Sequence, residues 1–214
     1  MRAMAPSVRI VALGDSLTVG FQPYGVSGDY GSSTPYTDVL TNRIAEGFHS
    51  QSRFVEVVNK GVNGDLTEQM LARFDADVIR LSSKIVIILG GSNDLGWGIP
   101  TREVFSNLCE MYALSLRKRV IPIACTIPSI SGFDEGIPPR ITLNELIRQY
   151  CSGRGLQCAD LFSATTEKAT KRLASQYSRD GLHLNTRGYE KIGDTIYDQA
   201  LRPVLSTLFE DLRS

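Results

Sequence analysis

Short, continuous apolar runs alternate along the chain with longer amphipathic stretches. The runs are Val8 to Leu13, Phe54 to Asn59, Lys84 to Leu89, Val120 to Thr126 and Leu156 to Asp160, each of strand rather than helix length. Between them lie Pro35 to Phe48, Asp65 to Leu81, Thr101 to Arg119 and Pro139 to Ser152, all of helical length, and Thr186 to Leu212 ends the chain as one long or broken helix. Ile85 to Leu89 is apolar at every position, as expected of a strand covered on both faces. Strands that alternate with helices imply parallel pairing through right-handed crossovers. The predicted fold is therefore α/β, a three-layer α/β/α sandwich around a five-stranded parallel sheet. One segment has no period: Gly20 to Ser33, with its glycines, Tyr24, Tyr30 and Pro23, reads as a long loop, either functional or a plain surface excursion.

Composition narrows the picture. A chain of 214 residues with 42% hydrophobic content suits one domain over residues 1–214 with a sizeable core. Lysine plus arginine balances aspartate plus glutamate at 23 each, so no overall field draws the protein to nucleic acid or to an anionic membrane. The apolar run nearest the N-terminus, Val8 to Leu13, is too short for a signal peptide core or a spanning helix. No integral membrane association and a cytoplasmic location are the expectations. Cys109, Cys125, Cys151 and Cys158 contain no CxxC pair and are expected as free thiols. Cys151 and Cys158 are close enough in sequence for a small-loop disulfide, which spacing alone does not decide.

Candidate chemistry lies where the strands end. In an open parallel sheet, ligands bind beyond the carboxyl ends of the strands, near the point where strand order reverses. Ser16 follows the first run, Gly64 the second and Asn93 the third, and His183 stands in the loop before the last helix. A serine hydroxyl is a poor nucleophile until a base takes its proton, and histidine suits that task near neutral pH. Of the two histidines, His49 falls at the end of a predicted helix and reads as structural or surface. His183 follows Asp180 by three residues, which lets the carboxylate reach the imidazole Nδ1 and leaves Nε2 for Ser16. The backbone amides of Ser16 and Gly64 and the side-chain amide of Asn93 are the candidate donors to a developing oxyanion. Taken singly, each of these segments is also ordinary turn or capping chemistry. Asp15 reads as a residue that fixes the turn rather than as a base.

Together, Gly14-Asp15-Ser16-Leu17, Asn59-Lys60-Gly61-Val62-Asn63-Gly64, Gly91-Ser92-Asn93-Asp94 and Asp180-Gly181-Leu182-His183 resemble the four blocks of the SGNH hydrolases, also called the GDSL esterase and lipase family. The resemblance runs over essentially the whole chain. It implies a flavodoxin-like sandwich without metal or organic cofactor, Ser16 as nucleophile, His183 as base oriented by Asp180, and an oxyanion hole from Ser16, Gly64 and Asn93. Leu184 stands where many members carry proline, with little consequence expected for catalysis.

That family hydrolyses short-chain esters, thioesters, lysophospholipids and acetylated sugars, so the resemblance does not choose the substrate. Phe21, Tyr24 and Tyr30 in the long loop, with Leu95, Trp97 and Ile99 after Asn93, are candidate walls of an apolar pocket. A small-molecule ester of acetyl to about hexanoyl length is the expected substrate. A carbohydrate acetyl esterase and a lysophospholipase or thioesterase are the alternatives within the enzyme class. A non-catalytic flavodoxin-like binding module is the alternative outside it. Neither GxGxxG nor GxxxxGK[ST] occurs, which leaves nucleotide binding without a phosphate loop.

Overall fold

The computed structural model describes residues 8–23 and 33–211. Five strands form one parallel sheet: β1 (Val8–Gly14), β2 (Val55–Gly61), β3 (Ile85–Leu89), β4 (Ile121–Cys125) and β5 (Gln157–Ala159), in the order β2-β1-β3-β4-β5. All four pairings are parallel, as the alternation of runs predicts. β3 is buried along its whole length, whereas β2, at the sheet edge, is half-buried throughout, which explains why β2 tolerates Glu56 and Lys60. The long helices α2 (Tyr36–Ser52), α5 (Thr101–Arg117), α6 (Ile137–Arg154), α8 (Thr186–Ile196) and α9 (Arg202–Asp211) cover the two faces. α2 packs with α8 on one side, and α5 packs with α6 on the other.

One helical expectation is revised. The stretch Asp65 to Leu81 is not one helix but α3 (Thr67–Ala72) followed by a π-type turn, Asp75–Ile79. Arg73 sits between the two parts. It pairs with Asp65 and Asp77 and donates to the carbonyls of Lys60 and Gly14. Those tertiary bonds set the local geometry against the helical pattern. The C-terminal stretch takes the broken one of its two expected forms, interrupted by a π-type turn at Tyr197–Leu201, just ahead of Pro203. Three short helices carry no visible period: α1 (Ser16–Val19), α4 (Ser92–Gly96) and α7 (Leu161–Thr165). The four cysteines are free. Cys151 and Cys158 hydrogen-bond to each other as thiols.

The sheet order places the functional end. From β1 the chain passes to β2 on one side and then crosses back to β3 on the other, so strand order reverses between β1 and β3. α1 and α4, which carry Ser16 and Asn93, begin at the carboxyl ends of these two neighbouring strands.

Candidate active site

Asp15 follows β1 and caps α1, its Oδ1 accepting from the Leu17 amide at 2.9 Å. A carboxylate at the start of a helix satisfies an otherwise orphaned amide. Here the carboxyl is also 1% exposed, and its Oδ2 has no partner. Burial pushes its pKa up to about 7 against the pull of the Leu17 hydrogen bond, with the charges of Asp94 and Asp65 acting in the same upward direction. Ser16 is the first residue of α1 and is 8% exposed. Its carbonyl accepts from the amides of Gly20 and Phe21, both at 3.1 Å, which folds the chain into a tight turn behind the hydroxyl.

The loop after β2 is stitched to this turn, since the Val62 amide donates to the Gly14 carbonyl at 3.0 Å. Gly64 has φ +79°, and nothing lies within 4 Å of the place a Cβ would occupy. Its backbone therefore requires glycine, and its surroundings leave a ligand free to approach. Asn93 donates from Nδ2 to the Asp65 carbonyl at 3.0 Å. The next residue, Asp94, accepts from the Thr67 amide at 3.0 and 3.1 Å and from the Thr67 hydroxyl. The turns after β2 and β3 are thus cross-tied. One of the two Asn93 amide hydrogens is spent on the Asp65 carbonyl, and the other remains available.

Asp180 and His183 lie on an irregular segment between α7 and α8. Nδ1 of His183 donates to Asp180 Oδ2 at 2.8 Å, and Asp180 Oδ1 accepts from the amides of Leu182 at 2.9 Å and His183 at 2.8 Å. With Nδ1 so engaged, Nε2 is the nitrogen left to accept a proton. Burial opposes ionisation of Asp180, yet the hydrogen bonds from the His183 ring and from the two amides outweigh it and hold the carboxyl below the usual aspartate range. Gly181, between them, has φ +81°, and a Cβ there would stand 2.3 Å from the Ser131 carbonyl oxygen. Only glycine fits that approach.

Phe21 joins the two halves. Its ring meets the His183 imidazole edge-on at 4.7 Å between centroids, while its own amide donates to Ser16. The Tyr189 hydroxyl donates to the Phe21 carbonyl at 2.7 Å, and Gln22 donates to the Thr186 hydroxyl at 3.1 Å. Among the described residues no hydrogen bond joins Ser16 Oγ to the imidazole, a contact that unliganded sites often hold loosely.

A cleft of about 260 Å³ opens beside Asn93, lined by Ser92, Leu95, Trp97, Ile130, Phe133 and Leu182 among others. Trp97 and Phe133, at 80% and 57% exposure, are two of the few large apolar side chains that face solvent. Of the expected wall residues, Leu95 and Trp97 line this cleft. Phe21 does not, being engaged with His183, and Ile99 packs against the core. Tyr24 and Tyr30 lie outside the described residues. His49 is exposed at a kink within α2, remote from the motif segments in sequence and element. Sequence reasoning missed Phe133 and Ile130. They stand after β4, at the same end of the sheet, in the Gly/Pro-punctuated stretch from Pro128 to Gly136, a position that strand-end logic would have flagged. Among the described residues no group of three or more His, Cys, Asp and Glu side chains is placed to hold a metal ion, and no helix is long and apolar enough to cross a membrane.

The model of the GDSL-like lipase/acylhydrolase family matches residues 12–191. An arylesterase of Vibrio mimicus is 32% identical over 113 residues, 52% of this chain and 50% of that protein, so the chain matches about half the length of this curated relative. The lipase/acylhydrolase from Enterococcus faecalis superposes with a TM-score of 0.72 at 27% identity, over 88% of this chain and 93% of that one. A catalytic mutant of an acetylxylan esterase from Geobacillus stearothermophilus superposes with a TM-score of 0.76 at 18% identity, over 92% and 95%. At that identity the second likeness carries the fold alone.

Proposed function

The chain belongs to the GDSL-like lipase/acylhydrolase family, and from that premise we propose that it is a serine esterase that hydrolyses short-chain carboxylic esters through an acyl-enzyme on Ser16. The observation that carries the reading is the Asp180–His183 pair, bonded at 2.8 Å and seated on Phe21 one turn beyond Ser16. In the acylation step His183 Nε2 takes the Ser16 proton and Oγ bonds to the ester carbonyl carbon. The carbonyl oxygen becomes an oxyanion, held by the amides of Ser16 and Gly64 and by Asn93 Nδ2. The intermediate collapses, the carbon–oxygen bond to the leaving group breaks, and His183 returns the proton to the departing alcohol. Water then repeats the sequence on the acyl-enzyme and frees the acid.

A cleft of about 260 Å³ is at the small end for ligand sites and favours a short acyl or compact alcohol group. Its walls also bear on the alternatives. The Ser92 hydroxyl already accepts from Arg140, and Leu95, Ile130, Leu182, Trp97 and Phe133 are apolar. Asn93 and Arg140 add polar groups to the same lining, so a short apolar acyl group carried by either a simple alcohol or a sugar fits it. Four free thiols agree with a reducing, cytoplasmic setting. The test is hydrolysis of p-nitrophenyl esters from acetyl to palmitoyl by the wild type and by Ser16→Ala. Turnover that peaks at short chains and disappears in the variant is the expected result. Rates that climb steadily to palmitoyl would replace this reading with a lysophospholipase or thioesterase.

A further inference from the structure

Arg140 heads the largest fully buried side chains of the protein, at 2% exposure. It sits in the first turn of α6, where the positive end of the helix dipole disfavours a cation. No carboxylate lies within salt-bridge distance of it among the described residues. The guanidinium donates from Nη1 to the Gly136 carbonyl at 3.1 Å and from Nη2 to the Ser92 hydroxyl at 3.1 Å, while Nε has no partner. Burial pulls its pKa down to about 10, and the charge of Asp15 is the influence that resists. A buried, incompletely satisfied cation against a helix dipole is costly, and nothing in α6 itself accounts for it.

Its neighbours do. Ser92, which accepts from the guanidinium, opens α4 and directly precedes Asn93. The same helix reaches this region twice more. Leu143 packs where a Cβ on Gly91 would stand, and Asn144 exchanges hydrogen bonds with the Ile127 backbone at 2.8 and 2.9 Å. Resting on the esterase reading above, we propose that Arg140 is a positioning residue for the oxyanion hole, holding Asn93 in place through its hydrogen bond to the neighbouring Ser92. That hydrogen bond is internal to the protein, and Arg140 also borders the cleft beside Asn93. The effect is to keep the Asn93 donor in one fixed orientation, the preorganisation on which electrostatic stabilisation of an oxyanion depends.

With p-nitrophenyl acetate, Arg140→Met should lower kcat by roughly 10- to 100-fold with KM within about twofold of wild type. Ser92→Ala, which removes the hydroxyl and leaves the arginine, should lower kcat in the same sense by a smaller factor. The two losses should not multiply in the double variant, because both break one linkage. Arg140→Lys, which keeps the charge but not the fork, should recover part of the loss. Amide NMR spectra of Ser92→Ala and Arg140→Lys should show displaced resonances for the Asn93 side-chain amide whether or not any ester turns over, which separates failure of this proposal from failure of the esterase reading. Losses that multiply, a rise in KM alone, or full kcat in Ser92→Ala with unmoved Asn93 resonances would overturn the positioning role. If Arg140→Met does not fold, Ser92→Ala and Arg140→Lys carry the test.

Discussion

The two halves of the site are held by different means. Ser16, Gly64 and Asn93 stand on turns that leave β1, β2 and β3, and those turns are bonded across to one another through Val62 to Gly14, Asn93 to Asp65, and Thr67 to Asp94. Asp180 and His183 stand on an irregular segment whose bonds are mostly its own: Asp180 with the amides of Leu182 and His183, and Ser178 with the His183 carbonyl at 2.7 Å. Its ties to the rest reach Phe21 and the loop after β4 rather than the strand-end turns: the Phe21 ring on His183, the Ser131 amide on the Gly181 carbonyl at 2.9 Å, the Leu173 amide on the Ile130 carbonyl at 3.2 Å, the Ser129 hydroxyl on the Lys171 carbonyl, and the Arg172–Asp134 pair. Ser16, Gly64 and Asn93 thus take their geometry from the sheet, whereas Asp180 and His183 take theirs from a locally braced loop. Damage to the loop should cost activity before stability. Damage at the strand ends should reach both.

The largest expected effect is at Ser16, the proposed nucleophile, where the comparison would fail most plainly. Ser16→Ala should lower kcat for p-nitrophenyl acetate by about 10⁴-fold or more with the fold retained, checked by steady-state kinetics beside circular dichroism. Next, Asn93→Ala should cost on the order of 10²- to 10³-fold in kcat, the usual loss for one oxyanion donor. Asp180→Ala should cost about 10³- to 10⁴-fold, through the lost orientation of the imidazole. Thermal melts distinguish the two regions: Asn93→Ala removes a bond between strand-end turns and should lower the Tm more than Asp180→Ala does. Equal melting shifts would erase the contrast between sheet and loop.

Gly181→Ala sharpens the same comparison. With φ +81° and a 2.3 Å approach to Ser131, the added methyl must shift the backbone of the Asp180–His183 turn. Activity should fall by roughly tenfold or more while the Tm moves by only a few degrees. A large loss of Tm would mean that this loop is part of the cooperative core.

The smallest effect on turnover should come from Asp15→Asn, whose Oδ1 can still cap Leu17. Its signature is in stability against pH. Asp15 binds its proton more tightly in the folded state, at about 7, than at the ordinary 3.8. Its contribution is therefore complete below pH 4 and is lost as pH rises through 7. Shifts of this size correspond to a few kcal/mol. Denaturant melts between pH 4 and 8 should show wild-type stability declining more steeply than that of Asp15→Asn; parallel curves would refute the assignment. Asp180 works in the opposite sense. Its lowered pKa stabilises the fold above the ordinary carboxylate range, and that contribution fades as pH falls below it.

The sequence carried the sheet well because each strand is a short apolar run with clear ends. The strands begin and end within about two residues of those runs, and β3, apolar throughout, is buried throughout. Asp65 to Leu81 was misleading because Arg73 draws its partners from β1, β2 and the following turn, none of them visible in a local pattern. The helices α1, α4 and α7, of four or five residues each, are too short to show a period. In the site, the positions of Ser16, Gly64 and Asn93 beyond strand ends were legible because each follows an apolar run, and the Asp180–His183 contact was legible from its three-residue spacing. Arg140 was not, since its burial depends on where α6 lands against the turn after β3. Phe21 was legible as an aromatic near the site but not as the support of His183, because that contact spans more than 160 residues of sequence.

The most direct test of the central claim is intact and peptide-level mass spectrometry after treatment with a fluorophosphonate. The account predicts a single phosphonyl adduct, located on Ser16 and absent from His183→Ala treated in the same way, because the hydroxyl reacts only when the imidazole can take its proton. An adduct on any other residue, or an unmodified Ser16 in a folded protein, would contradict it.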